Sequence, residues 1–160
     1  MLYIKTKVLP SKIQGLGLFA DEFIPKGTVI WKFTPGFDQK FTQEQVLNFP
    51  KEVQIYLAKY AWLSSKSNLY CFSSDNGKYF NHSGDPNVRS EYKEGGAEEE
   101  VTTSAIKDIQ IGEEITDDYS NFEEQENTAN VLYEIAHKYK LTEELTVGNI
   151  TRNPTDRFPS

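Results

Sequence analysis

The sequence predicts a single, mainly β domain with a few helices, and three observations carry that expectation. Short runs rich in β-branched and aromatic residues, Thr28 to Phe33 the clearest, recur along the chain and are closed by Pro or Gly turn signals. That pattern gives way to helical periodicity only twice, at about 42–62 and at 128–139. Finally, 160 residues with 38% hydrophobic and 13% aromatic content suffice for one real core and argue against a second domain.

In order along the chain, Tyr3 to Leu9 alternates β-formers with lysines as an edge strand does, and Pro10 ends it. Gly15-Leu16-Gly17-Leu18-Phe19-Ala20 then matches the dinucleotide fingerprint G-x-G-x-x-A letter for letter. That fingerprint works only when a helix N-terminus follows and takes the pyrophosphate. Here Pro25 and Gly27 leave no room for a helix, so a Rossmann reading is rejected. What remains is a glycine pair that lets backbone approach something closely, a short strand Leu18 to Ala20 and a turn at Pro25-Lys26-Gly27.

The strand Thr28 to Phe33 is closed by Pro35-Gly36. Thr42 and Gln45 form a capping box, which starts a helix at Gln43 and lets it stop by Asn48. A second helix runs from Pro50 or Lys51 to about Trp62, with Val53, Leu57, Tyr60 and Ala61 as its apolar stripe. Tyr56 and Tyr60 lie one turn apart, and core packing accounts for both. Strands return from Leu69 to Ser73, before an Asp75-Asn76-Gly77 turn, and Val88 to Tyr92 with Val101 to Ile106 read as a hairpin around Gly95-Gly96. A short strand after Ile109-Gln110-Ile111 delivers Tyr119 to a terminus among carboxylates. Thr128 to Tyr139 is an amphipathic helix with Val131, Leu132, Ile135 and Tyr139 on one face. The tail from Gly148 has no periodicity and is expected to be partly disordered or folded back as a lid.

Composition narrows the function. Seventeen basic against twenty-four acidic side chains give a net charge of −7, which argues against a binder that tracks nucleic-acid phosphates and favours a positively charged partner. The run Glu94 to Glu100 fits a solvated hairpin tip better than a peptide-attracting patch. No apolar run is long enough for a membrane span, and the first residues lack a signal peptide's apolar segment. The expected location is therefore intracellular, in cytoplasm or nucleus, or in a host cell after non-classical export. Cys71 is the single cysteine; with only His82 and His137 beside it, neither an internal disulfide nor a closed zinc site is expected.

The stretch Tyr79-Phe80-Asn81-His82-Ser83-Gly84-Asp85-Pro86-Asn87 runs two aromatics into a tight turn. Asn81 and His82 therefore stand where core meets surface, a common position for recognition or catalytic groups. A plain turn whose Asn and His satisfy backbone groups is the better explanation of this stretch when it is taken alone. Three motifs together change that: Gly15-Leu16-Gly17-Leu18-Phe19-Ala20 with Pro25-Lys26-Gly27; Asn81-His82-Ser83-x-x-Pro86-Asn87; and Gly112-Glu113-Glu114-Ile115-Thr116-x-Asp118-Tyr119. In order, they resemble the motifs of the SET-domain protein lysine methyltransferases, over Tyr3 to about Tyr119.

The resemblance implies a SET-domain β-clip of several small sheets with a knot-like C-terminal crossing, occupying 1–120. A helical insert would lie at about 42–63, and 121–160 would form a helical extension packed on or capping the domain. It implies S-adenosylmethionine as methyl donor, S-adenosylhomocysteine as product and no metal, with a lysine of a basic protein, possibly a histone, as acceptor and no nucleic acid or membrane as partner. By match of motif, Gly15, Leu16, Gly17, Asn81 and His82 would hold the cofactor. Tyr119 would touch it and be the catalytic residue, while Tyr60, Tyr79 and Phe122 are candidates for the substrate channel. His82 is given no proton-transfer role. Many family members complete the channel with a zinc-bound cysteine cluster, which this chain lacks, so Asn121-Phe122 and the helix from Thr128 to Tyr139 are expected to supply that wall.

Methyl transfer from a sulfonium to an amine is an in-line displacement, so positioning is the main task. The amine must also shed a proton held with a pKa near ~10.4, and the Tyr119 phenol, itself protonated at neutral pH, is a poor base for it. The expectation is that the cationic cofactor and an apolar channel depress the lysine pKa while the Tyr119 hydroxyl orients the neutral amine. Two other classes remain open: a SET-fold binding module without turnover, and an unrelated β-rich domain in which all three motifs are turns.

Overall fold

The computed structural model describes residues 1–92, 100–121 and 130–141. Within them, ten short strands form four small sheets, accompanied by three α-helices. The first sheet is a hairpin of β1 (Thr6–Pro10) and β2 (Leu16–Ala20), turned by Gly15 at φ +48°, a left-handed conformation that glycine adopts without a Cβ penalty. The second places β9 (Thr102–Ala105) between β3 (Val29–Lys32) and β8 (Val88–Glu91), all antiparallel. The third has β6 (Tyr70–Phe72) between β4 (Gln39–Phe41) and β5 (Ala61–Leu63). The fourth is a two-residue parallel pair, β7 (Asn81–His82) beside β10 (Thr116–Asp117), in the register Thr116 to Asn81 and Asp117 to His82.

Helix α1 (Gln43–Asn48) starts at the expected capping box: Gln45 N donates to Thr42 Oγ1 (3.2 Å) and Thr42 N to Gln45 Oε1 (2.8 Å). Helix α2 (Lys51–Tyr60) ends two residues before the expected Trp62, because Ala61 leaves it to pair with Phe72 in β5. Its apolar stripe also differs from the periodic reading. Val53 is 37% exposed, whereas Gln54 is only 8% exposed and packs inward beside Leu57 and Ala58. Burying the amide is tolerated because Gln54 Nε2 donates to Leu47 O (2.8 Å) and Phe49 O (2.9 Å), the carbonyls at the end of α1.

Helix α3 (Val131–Lys138) begins at Asn130, whose side chain accepts from Leu132 N, and buries Val131, Leu132 and Ile135 as the sequence predicts. It sits on the helical insert, with Val131 N donating to Tyr70 Oη (3.1 Å). Two cores result. One gathers Leu18, Ile24, Ile30, Trp31, Val88, Ile109 and Ile115 beneath the first, second and fourth sheets; the other joins α1, α2 and α3 to the third through Val46, Leu57, Leu63, Tyr70 and Leu132.

The expected Asp75-Asn76-Gly77 turn is the start of a 3-10 turn, Asn76–Tyr79, capped by the Asp75 side chain on Gly77 N. Glu100 corrects the reading of the acidic run as a solvated tip: it is 1% exposed, pairs with Lys40 Nζ at 3.0 Å and accepts from Ser64 Oγ at 2.7 Å. Those partners make its burial tolerable and tie the hairpin base to β4 and to the residue after β5, on either side of the helical insert. The Gly95-Gly96 tip, Phe122 and the tail from Gly148 lie outside the described residues.

Gln54→Ala should destabilise the chain by about 1–3 kcal/mol, since it leaves two helix-end carbonyls without donors, while Val53→Ala should cost under about 0.5 kcal/mol. Urea unfolding of both variants checks this, and equal costs would reject the buried-amide account.

Candidate functional site

The site grows from one buried amide. Asn81 is 1% exposed, and its Nδ2 donates to Glu114 Oε1 (2.7 Å), Leu16 O (3.2 Å) and Gln14 O (3.3 Å). Ser11 Oγ donates to the same carboxylate, 2.8 Å from Oε1 and 2.9 Å from Oε2, and accepts from Ile13 N and Gln14 N. The turn at 11–16 is thereby fastened to β7 and to the strand entering β10. Gly17 is part of this arrangement, since a Cβ there would stand 2.2 Å from Glu114 Oε1. The open side of Gly17 thus holds the Glu114 carboxylate, which the sequence analysis quoted within a motif but gave no role. Asn87 repeats the device one turn on: its Nδ2 donates to Glu113 Oε1 and Glu114 O, and its Oδ1 accepts from Thr116 N.

The parallel pair sets Tyr119 in place. Tyr119 N donates to His82 Nδ1 (3.4 Å), the two rings lie 5.4 Å apart, and the Tyr119 hydroxyl donates to the Phe80 carbonyl. His82 therefore acts on the backbone and ring of Tyr119.

A cavity of about 160 Å³ opens between the two cores. Gly15, Leu16, Tyr60, Tyr79, Asn81 and Tyr119, six of the residues singled out from sequence, line it together. Gly17 and His82 stand behind the wall, and Phe122 lies outside the described residues. Neither Asn121 nor the described part of the 128–139 helix reaches the cavity; that helix caps the other core. Among the described residues, α2, the 3-10 turn and Trp62 of β5 line that side of the cavity.

A model of the SET domain matches residues 15–120. The chain belongs to the SET-domain family. A search of curated proteins finds no match. Among solved structures, a candidate histone methyltransferase of Plasmodium falciparum is similar at 22% identity and TM-score 0.53, over 74% of this chain and 95% of that one. A Polycomb Repressive Complex 2 structure from Chaetomium thermophilum is similar at 21% identity and TM-score 0.58. Another, in an autoinhibited conformation bound to S-adenosylmethionine, is similar at 19% identity and TM-score 0.56. This chain spans only 17% of each of those two, with 84% and 86% of its own length aligned. At such identities the likeness is one of fold, the SET-domain arrangement of small β sheets.

Within this SET domain, one cavity group had no sequence signal. Asp117 occupies the variable position of the third motif, is 1% exposed and lines the cavity with Ser90 and Thr103. Burial pushes its carboxyl up to about 7, against the opposing pull of hydrogen bonds from Ser90 and Asp118 N. Cys71 is buried, and burial pushes its thiol well above the ordinary range, so it is a packing residue and no nucleophile. Among the described residues, no three His, Cys, Asp or Glu side chains cluster as metal ligands would.

Because the folded-state value of about 7 for Asp117 exceeds the ordinary 3.8, the fold holds this proton more tightly than the unfolded chain does. Its contribution to stability is complete below about pH 4 and is lost as pH rises through 7. Relative to Asp117→Asn, the wild type should lose stability across that window and stay level above it, as read from urea midpoints. A pH-independent difference would contradict the assignment.

Proposed function

We propose that this chain is an S-adenosylmethionine-dependent methyltransferase acting on the side-chain amine of a protein lysine. The observation that carries the reading is the meeting of Gly15, Leu16, Asn81 and Tyr119, up to 104 positions apart in sequence, in one cavity. The donor set suits the group. Tyr60, Tyr79 and Tyr119 offer aromatic faces to a cation, and Gly15, in its left-handed turn, lines the cavity beside them. When bound, S-adenosylmethionine supplies an activated methyl group on a sulfonium. The Gly15–Leu16 backbone and Asn81 would hold it, with Gly17 and His82 acting from behind by fixing Glu114 and Tyr119. One of the similar solved structures has S-adenosylmethionine bound, which supports the choice of donor.

Tyr119 supplies orientation. Its hydroxyl is held in place by its bond to the Phe80 carbonyl, and a phenol oxygen placed there can accept an N–H of the amine, which turns the nitrogen lone pair toward the reacting centre. Tyr60 and Tyr79, with ring centroids 5.7 Å apart, wall the approach. A net charge of −7 favours a basic protein as acceptor, a histone being one such.

Incubation of the chain with labelled S-adenosylmethionine and a panel of basic proteins, followed by mass spectrometry, should find methylated lysine. A chain that binds the donor yet transfers nothing would be a SET-fold binding module. Tyr119→Phe should lower kcat by about 10²-fold while changing donor affinity little; full methyl transfer by that variant would remove the role given to Tyr119.

A further inference from the structure

The proposed reaction needs somewhere for the proton of the lysine ammonium to go. Tyr119 spends its hydroxyl hydrogen on Phe80 O, and His82 Nδ1 is taken by Tyr119 N, with the His82 ring outside the cavity lining. Asp117 is placed differently. It lies two residues before Tyr119, and both line the cavity. Three donors fix its carboxylate: Ser90 Oγ to Oδ2, and Ser90 N (3.3 Å) and Asp118 N (2.8 Å) to Oδ1. A carboxylate offers about four lone-pair positions, so one is left for a further partner. Ser90 Oγ is itself 2.6 Å from Thr103 Oγ1, so the carboxylate is held from behind by a hydroxyl pair spanning β8 and β9. Among the described residues no cation pairs with this buried acid.

We infer that Asp117 is a catalytic residue of the proposed reaction, its carboxylate pairing with the entering lysine ε-ammonium and accepting one of its protons. The inference rests on the methyltransferase reading above. In the step, one N–H bond breaks and one O–H bond forms on the carboxylate; the ammonium becomes a neutral amine with a free lone pair, and Asp117 a neutral acid. That acid gives its proton to water before the next turnover. The protonation midpoint of about 7 is matched to such duty at neutral pH. In water an ordinary lysine would keep the proton, by about three pKa units. Inside the cavity both ions lose hydration, and the neutral pair gains on the ion pair.

The other titratable groups around the cavity are Lys59 and Tyr60 of α2, Lys78 and Tyr79 of the 3-10 turn, and Tyr119, with His82 beside Asp117 in the parallel pair and Asp118 next to it in the chain. Lys59 Nζ lies 5.2 Å from the Tyr60 ring centroid and Lys78 Nζ 5.5 Å from that of Tyr79. Their positive charges disfavour a further ammonium in the cavity, which assists deprotonation of the incoming lysine. The apolar channel expected from sequence is thus replaced, on this side, by a polar wall built around an acid.

The test measures kcat/KM on core histones from about pH 6 to 9 for the full chain, Asp117→Asn and Ser90→Ala. The wild type should rise to a plateau with its midpoint near 7. Ser90→Ala removes a hydrogen bond to the carboxylate and should move that midpoint upward. Asp117→Asn should lose about 10²–10⁴-fold at neutral pH and keep a residual rate that climbs about tenfold per pH unit with the free amine. A second readout needs no turnover: carbon-13 NMR of the aspartate carboxyls should show n-butylammonium shifting the Asp117 midpoint. An Asp117→Asn variant with the wild-type profile, or a midpoint that saturating n-butylammonium leaves unmoved, would overturn the inference alone. A wild-type chain that methylates no basic protein would overturn the underlying reading and the inference with it.

Discussion

The Glu114 carboxylate ties together three pieces of chain that lie far apart in sequence. It accepts from Ser11 Oγ, 103 residues earlier, and from Asn81 Nδ2, 33 residues earlier, while Gly17 leaves it the room to do so. Charge-assisted bonds of this kind are stronger than neutral ones and are costly to leave half made in a dry site. A parallel pair of only two residues per strand supplies few ladder hydrogen bonds of its own, so β7 and β10 depend on Glu114 and Asn87 to stay side by side. The position of Tyr119 depends on that pair in turn, through His82 Nδ1 and the Phe80 carbonyl.

The cavity lies where two cores meet, and this explains its mixed lining. Trp31 and Val101 belong to the core under the sheets, whereas Tyr60 reaches it from the helix that builds the other. Aromatic faces come from the helical insert and the 3-10 turn, and polar groups come from β8, β9 and β10. On the proposed reading, a cationic donor and a cationic acceptor entering one small space would use both kinds of wall, rings to hold positive charge and an acid to remove a proton.

Local features were legible in the sequence because they depend on neighbours within a turn of helix. The capping box at Thr42 and Gln45 and the apolar face of Val131, Leu132 and Ile135 are examples. Strands β4 and β5 were missed because three residues carry too little pattern to distinguish a strand from a loop. Gln54 was missed because periodicity weighs hydrophobicity and cannot foresee a buried amide that serves two carbonyls at the end of the preceding helix. The same limit applied at the site. The motif letters singled out Gly15, Leu16, Asn81 and Tyr119, all in the cavity, but Glu114 and Asp117 owe their importance to partners such as Ser11 and Ser90 that only the fold brings near. Gly17 looked like a place for a ligand's approach and is filled by a side chain of the chain itself.

All of this depends on the turn at 11–16, Asn81 and Tyr119 forming one receptor. The direct measurement is a crystal structure of the chain grown with S-adenosylhomocysteine. The account predicts the ligand seated against the Gly15–Leu16 backbone and Asn81, with its sulfur directed toward Tyr119. A ligand bound elsewhere, or electron density showing Tyr119 remote from it, would contradict the account at its foundation.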